Sequence, residues 1–106
     1  MKVIKYNKLI RDNIPHIIEK SGKKAITKRL SDEEYIKALN DKLEEELQEY
    51  LESSNVEELA DLVEVIYGIL DYKGVSIDEL ENVRKNKSRE RGAFKDRLML
   101  LEVIED

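Results

Sequence analysis

The chain has 106 residues, of which 24 are acidic and 19 basic, giving a formal net charge of -5, and it contains no cysteine. This length suits one small domain, the acidic balance gives no basis for binding a nucleic-acid polymer, and the lack of cysteine excludes disulfides and thiolate chemistry. No uncharged apolar run approaches the roughly 20 residues that span a bilayer. We therefore expect one cytoplasmic domain over residues 1–106 that acts on neither nucleic-acid polymers nor membranes.

The first predicted element is a short helix in PHIIEKSG, because Pro15 favours the first turn of a helix. A long helix follows Ser31, which together with Glu34 has the spacing of a capping box. This helix is expected to continue for about 20 residues, since apolar side chains recur at helical spacing. Those side chains are Ile36, Leu39, Leu43, Leu47, Tyr50 and Leu51.

Turn-forming residues at 53–55 separate this helix from a second long helix, for which Gly74 suits a left-handed C-terminal stop. A further capping-box spacing at 76–79 starts a third helix that we expect to end near Gly92. The sequence therefore predicts an all-α fold built on an antiparallel helical hairpin. Mixed strand and helix signals in KAITKRLS and RLMLLEVIE also allow a small terminal β-pairing.

Acidic side chains recur beside the apolar faces of both long helices. At about 100° per residue, Glu46 falls within the apolar arc of the first helix and Glu49 just outside it, while Glu45 points away. On the second helix, Glu58 lies inside the edge of the apolar arc and Asp61 on its flank. Folding the hairpin puts Glu49 level with Glu58 and Glu46 level with Asp61, so these four carboxylates are expected to converge.

Crowded, half-buried carboxylates repel one another and lose hydration, so this arrangement requires either a cation or raised pKa values. An all-oxygen ligand set favours Mg²⁺, with Mn²⁺ as a substitute, over zinc, which prefers His or Cys. The alternative is a solvated acidic face, because a chain with 41% charged residues contains many Glu-x-x-Glu spacings. Asn55 and Glu58 also have the spacing of a local capping box.

Basic side chains are required as well if the ligand carries several phosphates, because one metal ion does not neutralise their charge. The candidates are two in NKLIRDN and three at helical spacing on the third helix, namely Lys8, Arg11, Arg84, Lys87 and Arg91. Ordinary surface positions, or long side chains near a helix end, are the alternatives. The chain has neither a GxxxxGK[ST] phosphate loop nor a Ser/His/Asp set.

The stretch KLEEELQE, followed after eight residues by ELAD, resembles the EExxE…ExxD signature of the MazG-type all-α nucleoside triphosphate pyrophosphatases. YNKLIRDNIP and RKNKSRERGAF resemble the phosphoribosyl-ATP pyrophosphohydrolase-like branch of that superfamily. The resemblance implies that Glu46, Glu49, Glu58 and Asp61 bind magnesium and are catalytic. It also implies hydrolysis of a nucleotide, including abnormal "house-cleaning" substrates, between the α and β phosphates to a monophosphate and pyrophosphate.

Two other functions stay open from the sequence. One is the phosphoribosyl-ATP pyrophosphohydrolase of histidine biosynthesis, and the other is a non-catalytic helical dimerisation or regulatory module. Apolar side chains on the second long helix span roughly 220°, which is more than one neighbouring helix covers. We therefore expect a homodimer or homotetramer, as the resemblance also implies, with Ile66 or Ile69 close to the contact.

Overall fold

The computed structural model describes residues 1–105, and within that range it contains four helices and no strand. Helix α1 spans Ile14–Lys20, α2 Asp32–Ser53, α3 Val56–Lys73 and α4 Ile77–Arg91. The chain divides into a first unit, Met1–Gly74, and a second unit that begins at Val75. The all-α prediction is confirmed. One domain over residues 1–106 stays a prediction, and its last residue lies outside the described range.

Local hydrogen bonds fix both ends of α2. The Ser31 hydroxyl accepts from the Glu34 backbone N–H at 3.2 Å, and the Glu34 carboxylate accepts from the Ser31 N–H at 3.0 Å. This second bond, helped by Lys28, lowers the pKa of Glu34 to about 2. At the other end Ser54 adopts a left-handed conformation with φ 58°, and its N–H donates to the Tyr50 carbonyl. The chain then reverses direction and α3 begins at Val56.

The seam between α2 and α3 contains buried side chains from both helices. Leu39 of α2 is 3% exposed, and Val65 of α3 is also buried. Gly68 allows the helices to approach closely, because a Cβ at that position would lie 2.9 Å from a terminal methyl of Leu39. Glu46 is buried two turns after Leu39 on nearly the same side of α2. The hairpin therefore carries one carboxylate into its apolar seam.

The allowed terminal β-pairing is absent from the described residues. Neither KAITKRLS nor RLMLLEVIE forms a strand, and Ile26 in the first of these stretches is 83% exposed. An alternating apolar pattern stabilises a strand only when a neighbouring strand supplies hydrogen bonds and one face is buried. The predicted end of the last helix is confirmed, since α4 ends at Arg91 and Gly92 follows with φ 83°.

The apolar arc of α3 is only partly covered within residues 1–105. Val65 is buried, whereas Leu59, Val63 and Tyr67 remain 41%, 43% and 37% exposed. Val65 and Val63 differ by about 200° around the helix, so they lie on opposite sides of it. In the part of the chain that the structure describes, no helix combines the length and apolar character needed to cross a membrane.

Candidate metal centre

Acidic side chains from both long helices meet at the hairpin seam. Glu45, Glu46 and Glu49 form one group on α2, and Glu46, Glu58 and Asp61 form a second group across the seam. Within each group, one carboxylate oxygen from every residue lies within 4.8 Å of the others. Because Glu46 belongs to both groups, it joins the acids of α2 to those of α3. The four acids expected to converge are thus brought together, while their roles as ligands stay a prediction.

Glu46 is the most buried member of this cluster. The residue is 6% exposed, and its Oε2 atom has no hydrogen-bond partner among the described residues. Its other oxygen lies 3.5 Å from the ammonium of Lys42. Burial, and then the neighbouring Glu49, raise the pKa of Glu46. A buried carboxylate oxygen without a partner is costly, so an oxygen-preferring divalent cation fits the cluster and would satisfy this atom.

Glu58 lies in the first turn of α3, where a capping box was the alternative explanation. Asn55 is the N-cap residue, but its side chain makes no capping hydrogen bond, and the Glu58 backbone N–H donates to the Asn55 carbonyl instead. Partial loss of hydration raises the pKa of Glu58, and Glu49 and Asp61 raise it further. The local capping explanation is therefore wrong for Glu58, whose carboxylate lies with the other acids.

The expectation that Glu45 points away from the cluster was also wrong. Its carboxylate lies with those of Glu46 and Glu49. It accepts a hydrogen bond from the Lys8 ammonium at 3.0 Å, and it lies 3.6 Å from the Lys42 ammonium. The hydrogen bond from Lys8 lowers the pKa of Glu45. Glu45 and Glu49 are four residues apart and only about 40° apart around α2. The apolar arc is therefore a poor guide to the direction of Glu45, whereas its helical spacing to Glu49 places the two side chains together.

The two basic residues near the N-terminus lie beside these acids. Lys8 contacts Glu45, as described, and its pKa is raised by that hydrogen bond. The Arg11 guanidinium donates to Asp61 Oδ1 at 2.6 Å and lies 3.9 Å from Glu64. The structure therefore brings both N-terminal candidates for phosphate binding to the acidic cluster, where they are paired with carboxylates.

The other three candidate phosphate-binding residues lie on α4 in the second unit. Arg84, Lys87 and Arg91 are exposed, and the Arg84 guanidinium donates to Glu81 at 2.8 Å. This contact raises the pKa of Arg84 and lowers that of Glu81. An ion pair between residues three apart on an exposed helix face contributes little stability. A phosphate role for these three residues stays a prediction.

Replacing Glu46 by glutamine is expected to raise the melting temperature of the metal-free protein at neutral pH by roughly 4 °C, equivalent to about 1 kcal/mol. The raised pKa means that folding favours the protonated Glu46 carboxyl. The stability that the protonated carboxyl gives to the wild type is therefore present at low pH and is lost as pH rises through the folded-state pKa. Glutamine remains neutral throughout. Thermal unfolding with a chelator, at neutral pH and near about pH 4, should show the gain only at neutral pH; an equal gain at both would contradict this explanation.

An all-α hairpin with a carboxylate cluster at its seam is the arrangement expected of the MazG-type superfamily. The chain belongs to the phosphoribosyl-ATP pyrophosphohydrolase family, whose model matches residues 3–87, and this family is part of that superfamily. A protein from Mycolicibacterium smegmatis, itself described as uncharacterised, is 49% identical over 41 residues, covering 39% of this chain and 42% of the relative. The match thus spans less than half of either protein. No solved structure matches the chain.

Proposed function

We propose that the protein is a magnesium-dependent nucleotide pyrophosphohydrolase. It cleaves nucleoside triphosphates, including those with abnormal bases or sugars, between their α and β phosphates. The observation that carries this proposal is the buried Glu46 oxygen without a partner, which lies where acids of both helices meet. Membership of the family supports a pyrophosphohydrolase. A solvated acidic face accounts poorly for a glutamate residue that is only 6% exposed.

The proposed ligands of the ion are Glu46, Glu49, Glu58 and Asp61, with Mn²⁺ able to replace Mg²⁺. When bound, the ion supplies charge neutralisation for phosphate oxygens and lowers the pKa of a coordinated water. In the reaction, a water oxygen bonds to the α phosphorus and the bond from that phosphorus to the α–β bridging oxygen breaks. The bridging oxygen leaves with pyrophosphate, and the proton of the water passes to solvent.

The substrate brings several negative charges to an acidic cluster, so the protein must supply cations of its own. Lys8 and Arg11 already lie beside the cluster, with contacts of 3.0 and 2.6 Å to its carboxylates. Both side chains are more than half exposed, which leaves their remaining N–H groups accessible to phosphate oxygens. The proposal also assigns phosphate binding to Arg84, Lys87 and Arg91 of α4.

A substrate panel tests this function directly. The purified protein would be incubated with Mg²⁺ and ordinary or modified nucleoside triphosphates, and pyrophosphate and monophosphate would be measured together. Equal amounts of the two products from at least one nucleotide are expected. Release of orthophosphate in place of pyrophosphate, or no turnover of any nucleotide, would contradict the proposal and favour a non-catalytic helical module.

The second candidate substrate is phosphoribosyl-ATP, because the matching family model carries that name. The same assay separates the two possibilities. A kcat/KM for phosphoribosyl-ATP well above that for every nucleoside triphosphate would assign the histidine-pathway activity. The reverse order would assign general nucleotide hydrolysis.

Activity is expected to depend on Mg²⁺ or Mn²⁺ and to be lower with Zn²⁺ at matched metal occupancy. The cluster offers only carboxylate oxygens, which suit hard, octahedral ions, whereas zinc prefers imidazole and thiolate ligands. Pyrophosphate release after chelation and addition of each metal measures this preference. Stronger activation by Zn²⁺ than by Mg²⁺ would show that the ligand set is incorrectly assigned.

A further inference from the structure

The N-terminal cations reach both helices of the hairpin through one short segment, residues 7–11, here called the strap. Lys8 contacts Glu45 on α2, and Arg11 contacts Asp61 on α3. Three residues of extended chain span roughly 10 Å, which is close to the 8–10 Å between the axes of packed helices. The spacing of Lys8 and Arg11 therefore allows one cation to reach each side of the acidic cluster.

The strap adjoins α2 at one end and leads into α1 at the other. At one end, Asn7, Lys8 and Leu9 line a small cavity with α2 residues, and Leu9 is half-buried among exposed neighbours. At the other end, the Arg11 carbonyl accepts from the Ile14 N–H at the start of α1. The Lys8 and Arg11 side chains themselves are 54% and 55% exposed. The charged ends are thus open to solvent and can exchange partners without crossing a packed core.

Competition for the same carboxylate follows from these contacts. Asp61 belongs to the group that includes the buried Glu46, yet its Oδ1 atom is bonded to the Arg11 guanidinium at 2.6 Å. A guanidinium beside a carboxylate reduces the negative potential that attracts a divalent cation, and repels that cation directly. Arg11 therefore stabilises the crowded acids when no metal is present, and opposes metal binding by the same interaction.

We propose that the strap is an exchangeable counter-ion for the acidic cluster: Arg11, assisted by Lys8, neutralises it before metal binds and transfers to a substrate phosphate when metal and nucleotide bind together. The transfer to phosphate rests on the proposed function, whereas the competition with metal does not. The consequence is a coupling between ligands. Arg11 weakens binding of the metal alone and strengthens binding of the metal in the presence of a triphosphate.

Manganese binding to the intact protein tests the competition without any activity measurement. Arg11→Gln is expected to bind Mn²⁺ roughly fivefold more tightly than the wild type. This change in affinity corresponds to the interaction free energy of one exposed ion pair. Lys28→Gln is the matched control, because it removes one exposed cation that pairs with Glu34, roughly 16 Å along α2 from Glu45. Its Mn²⁺ affinity should remain within about twofold of the wild type, since the charge is screened at that distance.

A triphosphate with a non-hydrolysable α–β bridge tests the transfer. Adding it should tighten Mn²⁺ binding to the wild type and to Lys28→Gln, and should do so less for Arg11→Gln. Arg11→Lys, which keeps the charge, should resemble the wild type in Mn²⁺ binding. If Arg11→Gln has a lowered melting temperature, Lys8→Gln provides the same test, with a smaller change in the same direction.

Unchanged or weaker Mn²⁺ binding by folded Arg11→Gln would overturn the inference, because Arg11 would then be a bystander or would orient Asp61 for the metal. That result is compatible with full pyrophosphate release by the wild type, so the proposed function would survive it. Conversely, a wild type that binds Mn²⁺ but hydrolyses no nucleotide would refute the function, while tighter binding by Arg11→Gln would still support the competition.

Discussion

Glu46→Gln is expected to lower kcat/KM for pyrophosphate release by at least about 100-fold, equivalent to roughly 3 kcal/mol of lost transition-state stabilisation. Glu46 is shared by both acidic groups, and its buried oxygen has no other partner among residues 1–105. Glutamine keeps the size of the side chain but removes the charge that holds a divalent ion. Glu49→Gln, Glu58→Gln and Asp61→Asn are expected to cause losses of similar size.

Neighbouring acids provide the matched controls for this series. Glu44→Gln on α2 and Glu57→Gln on α3 alter exposed residues next to the cluster but outside both acidic groups. Each should retain activity within about twofold, as expected for a surface substitution. Glu45→Gln should lose less than Glu46→Gln, because Glu45 is already paired with Lys8. Equal losses at Glu44, Glu57 and Glu46 would indicate a general charge effect in place of a metal site.

Circular dichroism and thermal unfolding should accompany these measurements. Folding is expected to be retained, because removing one of several like charges relieves repulsion in the metal-free cluster. A variant that lost both activity and helical content would not count as evidence for a ligand role. The combination that supports the site is lost Mn²⁺ binding and lost activity with unchanged or higher thermal stability.

The helices were predictable because their ends are encoded locally. Ser31 and Glu34 form the capping box that their spacing indicates, and Gly74 adopts the left-handed stop expected of glycine. The convergence of Glu46 and Asp61 was predictable too, since two antiparallel helices joined by a short turn bring residues at equal distances from that turn together. Periodicity and chain reversal were enough for these features.

Contacts between distant residues were not predictable in this way. Lys8 with Glu45 and Arg11 with Asp61 are separated by 37 and 50 residues, and no local pattern fixes the path of the strap. The burial on α3 was also unclear from the sequence, because its apolar arc is too wide to show which part faces α2. Only the structure distinguishes the buried Val65 from the exposed Val63.

Val63→Glu is expected to dissociate a homo-oligomer and to lower activity with it. We propose that the exposed stripe of Leu59, Val63 and Tyr67 on α3 is covered by a second copy of the chain, because each of these apolar side chains is more than a third exposed. A self-complementary contact forming a dimer, or two such contacts forming a tetramer, would cover it. A buried glutamate at the centre of that stripe would lose hydration without gaining a partner.

The choice of Val63 follows from the faces of α3. A glutamate at Val65 would disrupt the hairpin itself, since Val65 is buried against the seam, so loss of activity there would not report on assembly. Ile66, which is half-buried and about 60° around α3 from Val63, provides a second probe through Ile66→Glu. Val63→Thr is the control, because it nearly preserves the size of the side chain without adding a charge.

Sedimentation equilibrium at micromolar concentration, with activity measured at the same concentration, tests assembly. The wild type and Val63→Thr should have at least twice the chain mass of 12.4 kDa, whereas Val63→Glu should shift toward the monomer and lose most of its activity. Retained helical content would show that the hairpin survives the substitution, because position 63 lies opposite the buried Val65. A wild type that sediments as a fully active monomer would refute the proposed assembly, and so would a Val63→Glu variant that remained fully associated.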